Sequence, residues 1–270
     1  MELAIIGGTG VYDPQMLTDI RTEEVSTPYG EAKVTTGTYQ GQEIAFLPRH
    51  GTEHSVPPHG INYRANIWAL ACLGVRKVLA TNAVGSLRHS FAPGDLVLCD
   101  QFLDFTHGRA ATFFEGGREG VIHMDVSDPY CPDLRKILFQ TGTELGLRVH
   151  NGGTYVCTQG PRFETPAEIR MFDRLGGDLV GMTSVPEVVL AREAGLCYTS
   201  VGMVTNFAAG ITGQPLTHQE VLDILQQNSE RLRKLIMNSV TKMSGPGHCK
   251  CGDAQSPIAL PGLADPKGEN

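Results

Sequence analysis

Positive charge is the first thing this sequence has too little of: 22 Lys and Arg stand against 29 Asp and Glu, a net charge of −7 and a pI near 5.7. That balance gives no field to hold a polyphosphate backbone, which argues against nucleic-acid binding but not against a local anion pocket. Long apolar runs are also missing. None approaches the ~18 residues that span a bilayer, and Met1-Glu2-Leu3-Ala4-Ile5-Ile6 enters an apolar strand with no basic leader head. A cytoplasmic protein without a membrane partner is expected. Paired cysteines are scarce too: Cys72, Cys99, Cys131, Cys157 and Cys197 are scattered through core-like segments, and only Cys249 and Cys251 are close neighbours. This suits reduced thiols better than a disulfide framework. No internal repeat or interdomain linker breaks the chain.

What is present is an ordinary globular composition, 41% hydrophobic and 19% charged over 270 residues, enough for one large core. Apolar strand-like runs alternate with helical patterns, which predicts an α/β layer architecture. Strands are expected at 3–6, 32–38, 43–47, 78–81, 96–99, 153–157, 179–180 and 197–205. A helix over 62–73 should stop at Gly74. Thr165-Pro166-Ala167-Glu168 places a capping hydroxyl, a first-turn Pro and a Glu three residues after the cap. Thr217 and Glu220 repeat the capping pair before a last helix expected to reach about Met243. From Ser244 to Asn270 the chain is rich in Gly, Pro and Ser without apolar periodicity, so a domain over 1–243 and a mobile tail over 244–270 are expected. Within the tail, Cys249-Lys250-Cys251 puts two thiols one residue apart, able to share a soft ion or to pair. It lacks a second ligand pair in sequence, so no metal is expected there, and a strained disulfide stays open.

Three strand ends carry anion-binding groups. Ile6-Gly7-Gly8-Thr9-Gly10 runs a strand into a Gly-rich turn whose backbone N–H groups, with the Thr9 hydroxyl, can face an oxyanion. The dinucleotide fingerprint is incomplete, since Asp13 stands where its third Gly belongs, and a purely structural turn accounts for the pattern equally well. Arg49-His50-Gly51 ends the strand over 43–47 with a guanidinium fork and an imidazole suited to a phosphate dianion. Asn82-Ala83 ends another strand in residues small enough for close backbone approach. In open α/β sheets ligands collect beyond the carboxyl ends of strands, so these segments are expected to converge.

Two further segments suit a heterocycle. Phe163 can stack on a ring while Glu164 accepts from its N–H edge, and Met182 and Thr183 can pack on a sugar and bind the anion. Taken singly, Phe163 and Met182 are also residues of the kind that pack a core. Asn206, with Phe207 and Ala208 at the end of an apolar strand, presents a carboxamide able to read a purine edge, and His218 follows in Thr217-His218-Gln219-Glu220.

The segments 5–10, 49–51, 66–70, 82–83, 94–96, 160–164 and 182–191, in this order, resemble the trimeric purine nucleoside phosphorylase and methylthioadenosine phosphorylase family. The resemblance spans residues 3 to about 243. It implies a single α/β domain whose central mixed, partly barrel-like sheet is flanked by helices, in a homotrimer or dimer of trimers. It implies no cofactor, inorganic phosphate as co-substrate and a purine nucleoside as substrate. Phosphate would be held by Thr9, Arg49, His50, Asn82, Ala83 and Thr183, with His50, Glu164 and Asn206 as catalytic groups and Phe163, Met182, Phe207 and Ala208 lining the substrate. His123 would reach a neighbouring subunit's site.

The subgroups of that family divide at the base pocket. The methylthioadenosine enzymes carry Asp at the positions of Asn206 and Ala208 and a small hydroxyl residue at that of Glu164. The 6-oxopurine enzymes carry Asn at the first and a His, matching His218, that bonds the ribose 5′-hydroxyl. A 6-oxopurine offers a carbonyl acceptor beside a protonated ring nitrogen, which complements an amide donor and an anionic acceptor. The expectation is therefore a purine nucleoside phosphorylase for inosine and guanosine. A methylthioinosine or methylthioadenosine phosphorylase is the alternative within the family, and a non-catalytic nucleotide-binding protein is the alternative outside it.

Overall fold

Apolar runs become strands and capped segments become helices in the computed structural model, which describes residues 1–7, 17–51, 55–117, 120–212, 218–245 and 247–252. The strands are β1 (Leu3–Gly7), β2 (Thr18–Thr27), β3 (Gly30–Tyr39), β4 (Gln42–Pro48), β5 (Lys77–Ser86), β6 (Leu96–Leu98), β7 (Gln101–Phe105), β8 (Val149–Asn151), β9 (Thr154–Thr158), β10 (Leu179–Gly181) and β11 (Cys197–Phe207). The helices are α1 (Tyr63–Cys72), α2 (Pro132–Glu144), α3 (Pro166–Arg174), α4 (Glu187–Glu193) and α5 (His218–Val240). Among the described residues, no helix is long and apolar enough to cross a membrane.

Among the described residues, all eleven strands join one mixed sheet, and it branches at β5. The first half of β5 runs parallel to β1, its last residues run antiparallel to β10, and its other edge pairs in parallel with β11 along its whole length. Beyond β11 the sheet continues through β6 to β8, and beyond β10 through β9 to β7. This branching makes β5 the common strand of both arms of the sheet. Helices cover the sheet: α1 and α4 pack in one apolar cluster with Trp68, Leu70, Val188 and Leu190, and α2 and α5 in another with Leu134, Leu138, Leu235 and Ile236.

The capping pattern at Thr165 forms as read. Its hydroxyl accepts from the Glu168 N–H and the Glu168 carboxylate accepts from the Thr165 N–H, which fixes the corner that follows Glu164. Asn62 caps α1 through the Ala65 N–H. β2, β7, β8 and α2 were not foreseen. β2 is exposed at eight of its ten positions, so it has no apolar alternation to read and exists through pairing with β3.

The chain beyond residue 243 needs correction where it is described. α5 stops at Val240, not near Met243, and the segment after it is packed against the domain. Lys77 Nζ donates to the carbonyls of Met243 and Gly245, Asp133 Oδ2 accepts from the N–H groups of His248 and Cys249, and Cys251 is 3% exposed. Gly, Pro and Ser content hid these long-range anchors. Residues 253–270 lie outside the described residues.

Candidate functional site

β5 is buried at every position but one, and that one is Ala83. An exposed residue inside a central strand marks an opening in the sheet, and Arg49, Thr183 and Asn206 meet that strand on either side of it. On one side, Arg49 follows β4 and donates its backbone N–H to Gly7 O at 3.2 Å, beside the end of β1. The residue is 3% exposed. The guanidinium grips Glu187 through Nε and Nη2 at 2.7 and 2.8 Å and donates from Nη1 to Thr81 O at 2.8 Å.

That arrangement corrects the reading of Arg49 as an open fork. Its bidentate face is already spent on a carboxylate 138 residues away, and of its five N–H groups only one on each Nη is left by these bonds. Burial works against the charge, but Glu187 outweighs it and holds the guanidinium well above its ordinary range. The pair is a rigid, fixed dipole beneath Thr81, and Tyr198 Oη donates to the same carboxylate at 2.8 Å.

One residue further along β5, Asn82 is clamped from both ends. Ser200 Oγ donates to its Oδ1 at 2.6 Å, and its Nδ2 donates to Thr183 Oγ1 at 2.6 Å. Because Thr183 accepts from Asn82, its own hydroxyl proton must be donated elsewhere, which is the polarity an anion requires. Asn82 is thus an orienting residue for Thr183. His50, half-buried, lies 2.8 Å through Nδ1 from Val56 O; a carbonyl only accepts, so Nδ1 carries a proton.

On the other side, the end of β5 meets the groups expected to read a base. Asn206 pairs with Gly85 across a bulge in β11, and a Cβ on Gly85 would lie 3.2 Å from Asn206 Nδ2 and 3.2 Å from Val180 Cγ1. A side chain there would press on both the carboxamide and β10. Asn206 is 5% exposed; its Oδ1 accepts from Thr205 Oγ1 at 2.7 Å and its Nδ2 donates to Phe207 O at 2.9 Å, leaving a second N–H on Nδ2. Glu164 is buried, with Oε1 accepting from Thr158 Oγ1 at 2.7 Å. Burial raises its carboxyl above the usual range, against the lowering effect of the Thr158 bond. Met182 is half-buried against Gly160, where a Cβ would stand 2.5 Å from its sulfur. Phe163 is 38% exposed, so it is no core residue. Phe207 is half-buried with its ring 5.5 Å from that of His89, and Ala208 is buried.

Three predicted residues are not placed at this opening. Thr9 lies outside the described residues. His218 begins α5, but its side chain lies outside them as well. His123 is exposed in a stretch without regular structure.

Arg109 was missed. It donates to four backbone carbonyls, those of Thr158, Gln159, Met182 and Val185, at 3.2, 2.9, 2.9 and 2.7 Å. It thereby ties the end of β9, which leads to Glu164, to the end of β10, which leads to Met182 and Thr183. A single Arg in an irregular stretch carries no periodicity, and nothing in the sequence marks it. Glu187, fully buried, was equally silent, because its partner is set only by the fold.

The sheet thus carries hydroxyl, amide and guanidinium donors and a buried carboxyl at its strand ends, groups of the kind that hold a polar small molecule. Residues 2–241 match the model of the Phosphorylase superfamily. A protein of Moorella thermoacetica named "Probable 6-oxopurine nucleoside phosphorylase" is 58% identical over 96% of this chain and all of its own length. An S-methyl-5′-thioadenosine phosphorylase of Pyrococcus furiosus is 48% identical over 93% of this chain and 96% of its own. The crystal structure of a methylthioadenosine phosphorylase from an antarctic soil metagenomic library superposes with a TM-score of 0.89 at 36% identity, covering 94% of this chain and 91% of that one. The chain belongs to the phosphorylase superfamily.

Proposed function

We propose that the protein is a purine nucleoside phosphorylase that cleaves 6-oxopurine nucleosides, inosine and guanosine, with inorganic phosphate to give the free base and ribose 1-phosphate. The observation that carries this reading is that a carboxamide, Asn206, and a carboxyl, Glu164, are both buried, each with hydrogen-bonding capacity left over. A 6-oxopurine offers a carbonyl oxygen to the Asn206 N–H and a ring N–H to the Glu164 carboxylate. Adenine's amino group and bare ring nitrogen would leave those groups mismatched, at about 1–3 kcal/mol each. The 58% identity to the Moorella protein against 48% to the methylthioadenosine phosphorylase supports the same choice.

In this reading phosphate sits at Ala83, against its backbone N–H, the Thr183 hydroxyl, His50, the remaining Arg49 N–H groups and Thr9. Its charge stabilises the cationic ribosyl group that develops as the bond from the anomeric carbon to the base nitrogen breaks. That electron pair leaves with the purine, an oxygen of hydrogenphosphate then bonds the anomeric carbon, and the proton hydrogenphosphate gives up is taken up in net by the purine's imidazole ring, with Asn206 assisting. Glu164 and Asn206 hold the charge on the departing base. Phe163, Met182, Phe207 and Ala208 wall the base and sugar, and His218 bonds the ribose 5′-hydroxyl. The enzyme works without a cofactor, in the cytoplasm, as a homotrimer or dimer of trimers in which His123 completes a neighbouring site.

Incubation with inosine, guanosine, adenosine, methylthioadenosine and methylthioinosine, each with and without phosphate, tests this. Base release from inosine and guanosine, and only with phosphate, is expected. Equal use of adenosine would remove Asn206 from base recognition, and preference for methylthioinosine would remove His218 from the sugar site.

A further inference from the structure

Away from this opening, four thiols meet where the sequence shows only two together. The sulfurs of Cys131, Cys197, Cys249 and Cys251 all lie within 4.8 Å of one another, with Cys197 and Cys249 at 3.4 Å, and all four cysteines are free. They arrive from three places: Cys131 is the N-cap of α2, Cys197 is the first residue of β11, and Cys249 and Cys251 lie after α5. With metal–sulfur bonds near 2.3 Å, the sulfurs of a tetrahedral tetrathiolate stand ~3.8 Å apart, within the range seen here, whereas a disulfide requires ~2.05 Å.

The backbone holds the thiols at this spacing. Cys131 N donates to Tyr198 O at 2.7 Å and Cys197 N to Arg76 O at 2.9 Å. Asp133 Oδ2 accepts from the N–H groups of both His248 and Cys249, at 2.6 and 2.8 Å, which shapes the Cys-x-Cys turn. Positive potential converges on the group as well. Cys131 stands at the N-terminus of a 13-residue helix, where backbone N–H groups favour a thiolate. Cys131 and Cys251 are otherwise surrounded by the apolar cluster of α2 and α5.

We propose that Cys131, Cys197, Cys249 and Cys251 bind one zinc ion as a closed structural centre that staples the segment after α5 to α2 and β11. Four sulfurs and no nitrogen or oxygen donor suit this ion, which accepts a closed tetrahedral shell and has no redox chemistry of its own. Each ligating thiol gives up its proton on binding, and no oxidant is involved. The centre is separate from the phosphorolysis site, and its test does not depend on that activity.

The full chain, prepared from zinc-supplemented cells under reducing conditions without chelator, is assayed for metal and then reconstituted with cobalt. About one zinc per chain and the intense visible bands of tetrahedral cobalt thiolate are expected. Stripping the zinc should lower the thermal midpoint by ~5 °C or more, with recovery on its return. Cys249→Ser with Cys251→Ser should lose the metal, and Cys72→Ser, at an exposed thiol, should keep it. Two disulfides in the isolated protein, with no zinc or cobalt bound after their reduction, would overturn the proposal. So would a reduced wild-type chain that binds neither metal, whatever the variants do.

Discussion

In the proposed reading Glu164 and Asn206 carry the choice of base, and each can be tested alone. Glu164→Gln removes the acceptor for a purine N–H, so kcat/KM for inosine should fall ~100-fold, about 2.7 kcal/mol. The same variant should not destabilise the protein at neutral pH. Burial raises the Glu164 carboxyl in the folded state, so the fold favours its neutral form. That contribution is fully present below the unfolded-chain value near 4.5 and is lost as pH rises through the higher folded value. Thermal unfolding followed against pH should therefore show the wild type losing ground to Glu164→Gln across that window. Activity moves the opposite way: inosine cleavage needs the carboxylate, so its acid limb should lie above the ordinary Glu range. A variant less stable than the wild type at neutral pH would contradict the assignment. Asn206→Asp exchanges the amide donor for an acceptor at a site 5% exposed. It should reduce inosine kcat/KM ~10- to 100-fold and raise adenosine use, as initial rates with the two nucleosides would show.

Elements bring these residues together, and Arg109 is the tie that sets two of them. Four carbonyls at the ends of β9 and β10 accept from its guanidinium, and an ammonium cannot span that fan. Arg109→Lys should lower stability by ~2 kcal/mol and reduce kcat/KM for inosine more than ~10-fold, measured by denaturant unfolding and steady-state kinetics. Unchanged kinetics in a destabilised variant would reduce Arg109 to a purely structural role. The elements were legible where local chemistry dictates them. Apolar runs gave β1, β4, β5 and β11 within a residue or two at most ends, and the Thr165 capping box gave α3. They were illegible where pairing decides, as in β2, whose exposed residues form a strand only because β3 lies alongside.

At the scale of the molecule, one strand organises the account. Thr81, Asn82, Ala83 and Gly85 lie along ~13 Å of β5 at ~3.3 Å per residue, and against them stand Arg49, Thr183 and Asn206. Sequence segments with donors at strand ends pointed to this convergence, but their partners did not show. The Arg49–Glu187 pair joins residues 138 apart and Asn82 meets Thr183 across 101, separations that no local pattern encodes. The four-cysteine group is hidden for the same reason, since Cys131 and Cys197 are far in sequence from Cys249 and Cys251.

The central claim is that the anion pole and the base pole belong to one cavity over β5. A crystal structure of the protein with guanosine and sulfate, which permits binding without turnover, tests it most directly. The account predicts sulfate against the Ala83 N–H and the Thr183 hydroxyl, with the purine bonded to Asn206 and Glu164 in the same continuous cavity. An anion and a base found in separate clefts, or a purine that does not touch Asn206, would contradict it.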